Sequence, residues 1–130
     1  MLLDSRKMSQ EAHIAIKEIQ TELATNYHGK ASGLVQGLSA YIATWGLHRL
    51  AGDAKKFLAG TAEDTTYKGK VYRKFLGKLQ ALSGIDFDPD DEGSLIHLPL
   101  RQYTGLNRLA MQLAKEWSFW AAAVLGEAKE

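Results

Sequence analysis

The sequence of 130 residues contains no cysteine and only two prolines, Pro89 and Pro99. The lack of cysteine excludes disulfides, thiolate nucleophiles and cysteine-ligated metals. Because both prolines lie between residues 84 and 99, that stretch is the clearest non-helical segment of the chain. No run approaches the ~20 apolar residues that cross a bilayer. No alternating stretch longer than a few residues predicts a β-strand either.

The composition is that of an ordinary globular protein. Apolar residues make up 45% of the chain and charged residues 24%, so one folded domain spanning residues 1–130 is expected. The first twenty residues carry acidic side chains and lack the apolar core of a signal peptide. We therefore expect a soluble cytoplasmic protein that makes no contact with a membrane.

Outside the proline-containing stretch, apolar residues recur at helical spacing, which predicts an all-α fold. The pattern indicates a bundle of five to six helices joined by one loop at about 84–99. Five helices are clearest. The first two span about 5–26 and 31–45, and the third begins directly after Gly46. The fourth runs from Thr65 or Thr66 to Leu82, and the fifth from Thr104 to about Leu125. Gly29, Gly33 and Gly37 are spaced by four, which predicts a bare strip where another helix packs closely.

The net charge of +1 hides two opposed blocks. Five basic residues and no acidic residue lie between 68 and 78: Lys68, Lys70, Arg73, Lys74 and Lys78. Five acidic residues follow between 86 and 92: Asp86, Asp88, Asp90, Asp91 and Glu92. Separated blocks of this kind can give one surface a strong positive potential despite a neutral sum.

Motifs of catalysis and of cofactor binding are absent from the sequence. The aspartates at 86, 88 and 90 alternate as in a calcium loop, but the required glycine and glutamate are replaced by Asp91 and His97. The four histidines match no metal-binding spacing. No glycine-rich phosphate loop and no G-x-S-x-G nucleophile motif occurs. We expect no metal, no cofactor and no enzymatic activity.

The helix that carries the basic block presents two faces. Its apolar residues cover one arc of the helix, and Lys70, Arg73 and Lys74 cluster on the opposite side with Lys78 at the flank. A solvated face, contact with a nucleic-acid backbone, and binding to a membrane surface are the three interpretations, the last being the weakest. The candidate RNA-contacting residues are Lys70, Arg73, Lys74 and Lys78, with Arg49, Lys55 and Lys56 as an extension and Arg101 and Arg108 as a second patch.

Two stretches resemble a known family. The run LSAYIATWGLHRLAG, in which a helix restarts directly after Gly46–Leu47, resembles the small helical subunit of type III-B CRISPR effector complexes, the RAMP-module family. The run LIHLPLRQYTGLNRLAMQLAKEWSFWAAAVL is similar to the closing element of that family, where a tyrosine and a polar cap, here Tyr103 and Thr104, precede a long helix with a central tryptophan, here Trp117.

The resemblance implies a role without catalysis. Such subunits stack in a ribonucleoprotein filament beside the backbone subunits and copies of themselves, and they line the channel where guide RNA pairs with target RNA. Base pairing then supplies the sequence specificity, so the protein needs to hold only the RNA backbone. The family pattern has a basic residue near the end of the second helix and an asparagine before Gly46–Leu47, where this chain has Ala43 and Trp45, so the RNA contact of that basic position does not carry over from the resemblance.

Other interpretations remain open at this point. The chain can be the small subunit of another CRISPR effector type, or an unrelated helical adaptor whose basic face is only solvated. A hydrolase would need a cleft of perturbed acids that no motif indicates. Ile14, Met111 and Phe119 fall off the predicted apolar stripes, and two of them on one surface would indicate a protein–protein contact.

Overall fold

The computed structural model describes residues 5–129, so the first four residues of the N-terminal stretch lie outside the described part. The fold is all-α, as predicted. Within the described range it contains seven α-helices, whereas the sequence indicated five to six. They are α1 (Ser5–Glu22), α2 (His28–Gln36), α3 (Leu38–Trp45), α4 (Leu47–Leu58), α5 (Glu63–Ser83), α6 (Glu92–Ile96) and α7 (Leu100–Trp120).

Two segments account for the additional helices. The predicted helix at 31–45 is divided at Gly37, which ends α2 and precedes α3, and glycine is a weak helix former because it loses the most backbone freedom. The predicted loop at 84–99 contains the short α6, whose first turn is capped by the Asp91 carboxylate accepting the Gly93 N–H at 3.0 Å. Both boundaries depend on single residues that apolar periodicity does not reveal.

The ends of the first and last helices also differ from the sequence prediction. Helix α1 stops at Glu22 and is followed by a 3₁₀ turn at Thr25–Tyr27. Helix α7 begins at Leu100, directly after Pro99, rather than at Thr104. Proline is favourable there because a helix start needs no N–H from that residue. After Trp120 the helix widens into a π-helical turn, Ala121–Leu125.

The apolar stripes predicted for α1, α5 and α7 face one continuous core. At its centre Trp117 and Phe75 meet edge to face, with ring centroids 5.0 Å apart and planes at 83°. Both side chains are fully buried. An edge-to-face pair adds about 0.5–1.5 kcal/mol to the burial of the two rings. The longest helices, α5 and α7, therefore pack against each other through their largest fully buried side chains.

Two of the three glycines in the predicted strip, Gly29 and Gly33, pack against the segment that follows α7 and not against another helix, whereas Gly37 does not contact that segment. A Cβ on Gly33 would lie 3.1 Å from the Lys129 carbonyl oxygen, and a Cβ on Gly29 would lie 2.8 Å from the Lys129 side chain. The Lys129 N–H donates to the Gly29 carbonyl at 2.9 Å. The Ser32 hydroxyl donates to the Gly126 carbonyl at 2.8 Å. The strip thus fastens the segment after α7.

Helices α3 and α4 meet at Gly46, where φ is +85° and ψ is 167°, a region of backbone space that is essentially restricted to glycine. The turn lets α4 start at Leu47 without an intervening loop. A hydrogen bond from the Tyr41 hydroxyl to Asp53, 2.5 Å long, also joins the two helices. Burial of the Tyr41 hydroxyl is the main cause that raises its pKa, and the hydrogen bond to Asp53 raises it further.

Over residues 5–129, no helix has both the length and the apolar character that a membrane-crossing segment requires.

Candidate nucleic-acid interface

The basic face of α5 is not a freely solvated surface. Arg73, Lys74 and Lys78 are half-buried, and each faces a carboxylate of another part of the chain. The apolar side of the helix is buried in the core as predicted. The cations on the other side lie in the interfaces with α1 and with the acidic segment that follows α5.

The acidic block folds back onto the basic one. Arg73 makes a two-pronged ion pair with Asp90, in which Nη2 donates to Oδ2 at 3.0 Å and Nε donates to Oδ1. Bidentate pairs of this geometry are the stronger kind of ion pair. The hydrogen bond from Arg73 holds the pKa of Asp90 below its ordinary value. Lys55 on α4 faces Glu92 of the same acidic block at 3.5 Å.

Helix α1 supplies the carboxylates for the other two cations. Lys74 Nζ lies 2.7 Å from a Glu22 oxygen and 3.7 Å from Glu18. Lys78 Nζ lies 2.7 Å from Glu18. The hydrogen bond from Lys78 is the main cause that lowers the pKa of Glu18. With a side chain only 16% exposed, Lys74 has little surface left for an external phosphate.

Of the predicted residues on α4 and α5, Lys56 and Lys70 are exposed and make no ion pair within residues 5–129. Arg49 is also exposed, but its guanidinium lies over the Trp45 ring, 4.8 Å from the centroid. The structure therefore divides the first candidate patch into two groups. Arg73, Lys74, Lys78 and Lys55 are paired with carboxylates, whereas Arg49, Lys56 and Lys70 are open to a ligand.

The second candidate patch lies on α7 and has a regular geometry. Arg101 and Arg108 are seven residues apart, which is two helical turns, and Lys115 continues the same spacing. The three cations form a line along one face of the helix, about 10 Å apart. All three are exposed, and none has an ion-pair partner in the described part of the chain. The only carboxylate on α7, Glu116, lies about 100° around the helix from Lys115.

We call Arg101, Arg108 and Lys115 the α7 cation line. The sequence prediction named its first two members and missed Lys115. The repeat of seven on a single helix was the signal that could have found it. Because these cations have no internal partner, they can neutralise phosphates without breaking a contact of the fold.

The three apolar residues predicted to lie off the apolar stripes, Ile14, Met111 and Phe119, differ in how far they are buried. Met111 packs against the core. Ile14 is 42% exposed and Phe119 is 63% exposed. His13, the neighbour of Ile14, contacts the Trp120 ring, which in turn contacts Phe119. Phe119 therefore lies on the surface where α1 meets α7, whereas Ile14 lines a separate concavity along α1 with Lys17 and Glu18.

A second apolar surface lies near the start of α7. Ile96 and Leu100 line a cavity of about 260 Å³ together with His48 and Tyr103. Ile96 is 56% exposed and Leu100 is 79% exposed. Exposed apolar residues that share a concavity indicate a protein contact more strongly than isolated ones.

No three His, Asp or Glu side chains in the described range come together as metal ligands. Comparison of this chain with protein-family models, with curated protein sequences and with solved structures finds no match.

Proposed function

We propose that this protein is a non-catalytic small subunit of a type III-B CRISPR effector complex and that it holds RNA by the phosphate backbone through the α7 cation line. The observation that carries the RNA contact is the contrast between the two basic surfaces. Three cations of α5, Arg73, Lys74 and Lys78, are occupied by carboxylates and only Lys70 of its basic face is open, whereas Arg101, Arg108 and Lys115 are exposed, collinear and unpaired in the described chain. A row of point charges binds phosphates without reading bases.

Two features support assembly with protein partners. The stretches that resemble the type III-B small subunit meet in the fold, because Tyr103 from one contacts Gly46 and Leu47 from the other. The exposed Ile96 and Leu100 provide an apolar surface of the kind that a stacked subunit buries against a neighbour. In this role the chain contacts other complex subunits and copies of itself, together with guide and target RNA, in the cytoplasm.

A helical protein-interaction adaptor is the second candidate function. The ion pairs of Arg73, Lys74 and Lys78 favour it, since they give the basic block of the sequence a structural role that needs no RNA. A small subunit of another CRISPR effector type would share the fold and the RNA contact and would differ in its protein partners.

Salt-dependent RNA binding tests the proposal. A single-stranded RNA of about 40 nucleotides is titrated with wild type and with Arg101→Gln/Arg108→Gln/Lys115→Gln. At roughly 0.7 unit per phosphate on a single strand, losing three contacts flattens the slope of log K against log salt by about 2 units. Arg49→Gln/Lys56→Gln/Lys70→Gln removes the same charge from α4 and α5 and is the matched control, with a smaller expected change.

Equal effects of the two triple variants would show that net charge alone governs binding and would refute the α7 interface. No binding by wild type at low salt would favour the adaptor. Membership of the effector complex is tested separately by coexpression with the type III-B backbone subunit and a guide RNA. Incorporation into the purified ribonucleoprotein is expected, and its loss in Leu100→Asp but not in Lys56→Gln would locate the protein contact at the start of α7.

A further inference from the structure

Three aromatic rings form a chain on the surface where α1 meets the end of α7. Phe119 and Trp120 stand at 89° with ring centroids 4.9 Å apart. Trp120 and His13 stand at 70° with centroids 4.7 Å apart. The Trp120 Nε1–H donates to the Ser9 hydroxyl at 2.9 Å. Helix α1 therefore fixes Trp120 twice, through the ring contact with His13 and through the hydrogen bond to Ser9. Trp120 in turn packs against Phe119 and restricts its position.

Phe119 is largely open to solvent, with 63% of its surface exposed. A single exposed apolar residue needs no explanation, but a ring positioned against a second, hydrogen-bonded ring is ordered before any ligand arrives. Preorganisation of this kind lowers the entropic cost of binding. Beside the rings lies a concavity of about 310 Å³ that is lined in part by Ser9, His13 and Trp120.

Two exposed cations and one carboxylate lie within a helical turn of the rings. Lys115 precedes Phe119 by one helical turn on α7, and Lys17 follows His13 by one turn on α1. Both ammonium groups are exposed and have no ion-pair partner in the described residues. The nearby α1 carboxylates, Glu18 and Glu22, are neutralised by Lys78 and Lys74. Glu116, three residues before Phe119, is the one carboxylate on α7, so the nearby charge on the two helices is net positive.

We propose that Phe119 is a stacking platform for an unpaired base of single-stranded RNA, with Lys115 and Lys17 holding the phosphates on either side. The proposal rests on the proposed function, because a strand that follows the α7 cation line reaches Phe119 one turn after Lys115. An aromatic face between cations is the usual device for binding single strands without sequence preference. A protein contact is disfavoured because lysines are depleted at the centres of protein interfaces.

The test uses three RNA probes of about 15 nucleotides, a length within reach of one small binding surface. The first is an unmodified single strand, the second carries one 2-aminopurine, and the third is a ribose–phosphate strand without bases. We expect Phe119→Ala to weaken binding of the unmodified strand about 5- to 150-fold and to leave the baseless strand unaffected. Phe119→Trp should retain both the affinity and the quenching of 2-aminopurine fluorescence.

The controls separate this inference from the proposed function. Ile14→Ala removes another exposed apolar side chain, on the neighbouring face of α1, and should leave RNA affinity unchanged. If the unmodified strand and the strand without bases bind wild type equally, and Phe119→Ala changes the affinity of neither strand, base stacking is refuted. Backbone binding by the α7 cation line then stands. If neither strand binds wild type, both proposals fail. If Phe119→Ala and Ile14→Ala leave RNA binding intact but reduce incorporation into the effector complex, the surface is a protein contact and base stacking is refuted.

Discussion

The Tyr103 hydroxyl accepts the backbone N–H of Leu47 at 3.0 Å, across 56 residues of sequence. His48 Nδ1 lies 3.0 Å from the same hydroxyl. Leu47 is the first residue of α4, where the backbone N–H groups have no partner inside the helix. Its capping residue, Gly46, has no side chain to supply one, so α7 provides the cap from a distance. The bond fixes the start of α7 against the α3–α4 junction.

Replacement of Tyr103 by phenylalanine removes this cap, together with the contact to His48 Nδ1. Leu47 is fully buried, so its N–H would lose its partner in a place that water does not reach. We expect a loss of about 1–3 kcal/mol in the free energy of unfolding, measured by urea titration. Tyr27→Phe is the matched control, since the Tyr27 hydroxyl makes no hydrogen bond within residues 5–129. An equal loss in both variants would contradict the capping role.

Alanine at Gly46 should be far more damaging than alanine at Gly84, although both glycines have positive φ. At Gly84 nothing lies within 4 Å of the added Cβ, so the cost is the backbone strain alone, about 1–2 kcal/mol. At Gly46 the Cβ would overlap the Tyr103 hydroxyl, which adds about 1–3 kcal/mol for overpacking. Thermal unfolding of the two variants measures the difference. Similar melting temperatures would show that the junction can relax.

The contact between α4 and α5 is tested at Gly69. A Cβ there would lie 2.9 Å from the Leu58 N and 3.0 Å from the Ala54 carbonyl oxygen. Since these are backbone atoms, Gly69→Ala must separate the helices, and we expect about 1–3 kcal/mol of destabilisation. Gly52→Ala, within α4 and facing open space, should instead stabilise by about 0.5–1 kcal/mol. Denaturant midpoints of the pair should therefore move in opposite directions, and a shared direction would contradict the close packing at Gly69.

Acid should weaken the fold in part through Glu18. Lys78 lowers the pKa of this carboxyl from its ordinary value of 4.5, so the ionised form is favoured in the folded state. The contribution to stability is present above pH 4.5 and is lost as the pH falls through the lowered folded value. Glu18→Gln should reduce stability at neutral pH and flatten the decline below pH 4.5, measured by urea titration at several pH values. The exposed Glu127→Gln is the control for loss of one negative charge, and a matching profile in both variants would refute the role of Glu18.

The sequence was sufficient to predict which residues form the helical core, because buried residues of a helix recur at its period. The stripes of α1, α5 and α7 repeat every three to four residues, and Phe75, Trp117 and Ile16 lie in the core where that period places them. Helix ends were less predictable. The break at Gly37 and the start at Leu100 depend on the backbone preferences of single residues. Those preferences differ by small free energies and do not change the spacing of the apolar residues.

The sequence likewise established two opposed charge blocks and an excess of basic residues on α7. Only the tertiary structure decided that Arg73 faces Asp90, that Lys74 and Lys78 face α1, and that the α7 cation line has no partner in the described chain. The physical reason is that hydrophobic periodicity is set by each helix alone. The pairing of charges depends on which helices the core brings together, and many arrangements of the same stripes would bury the same residues.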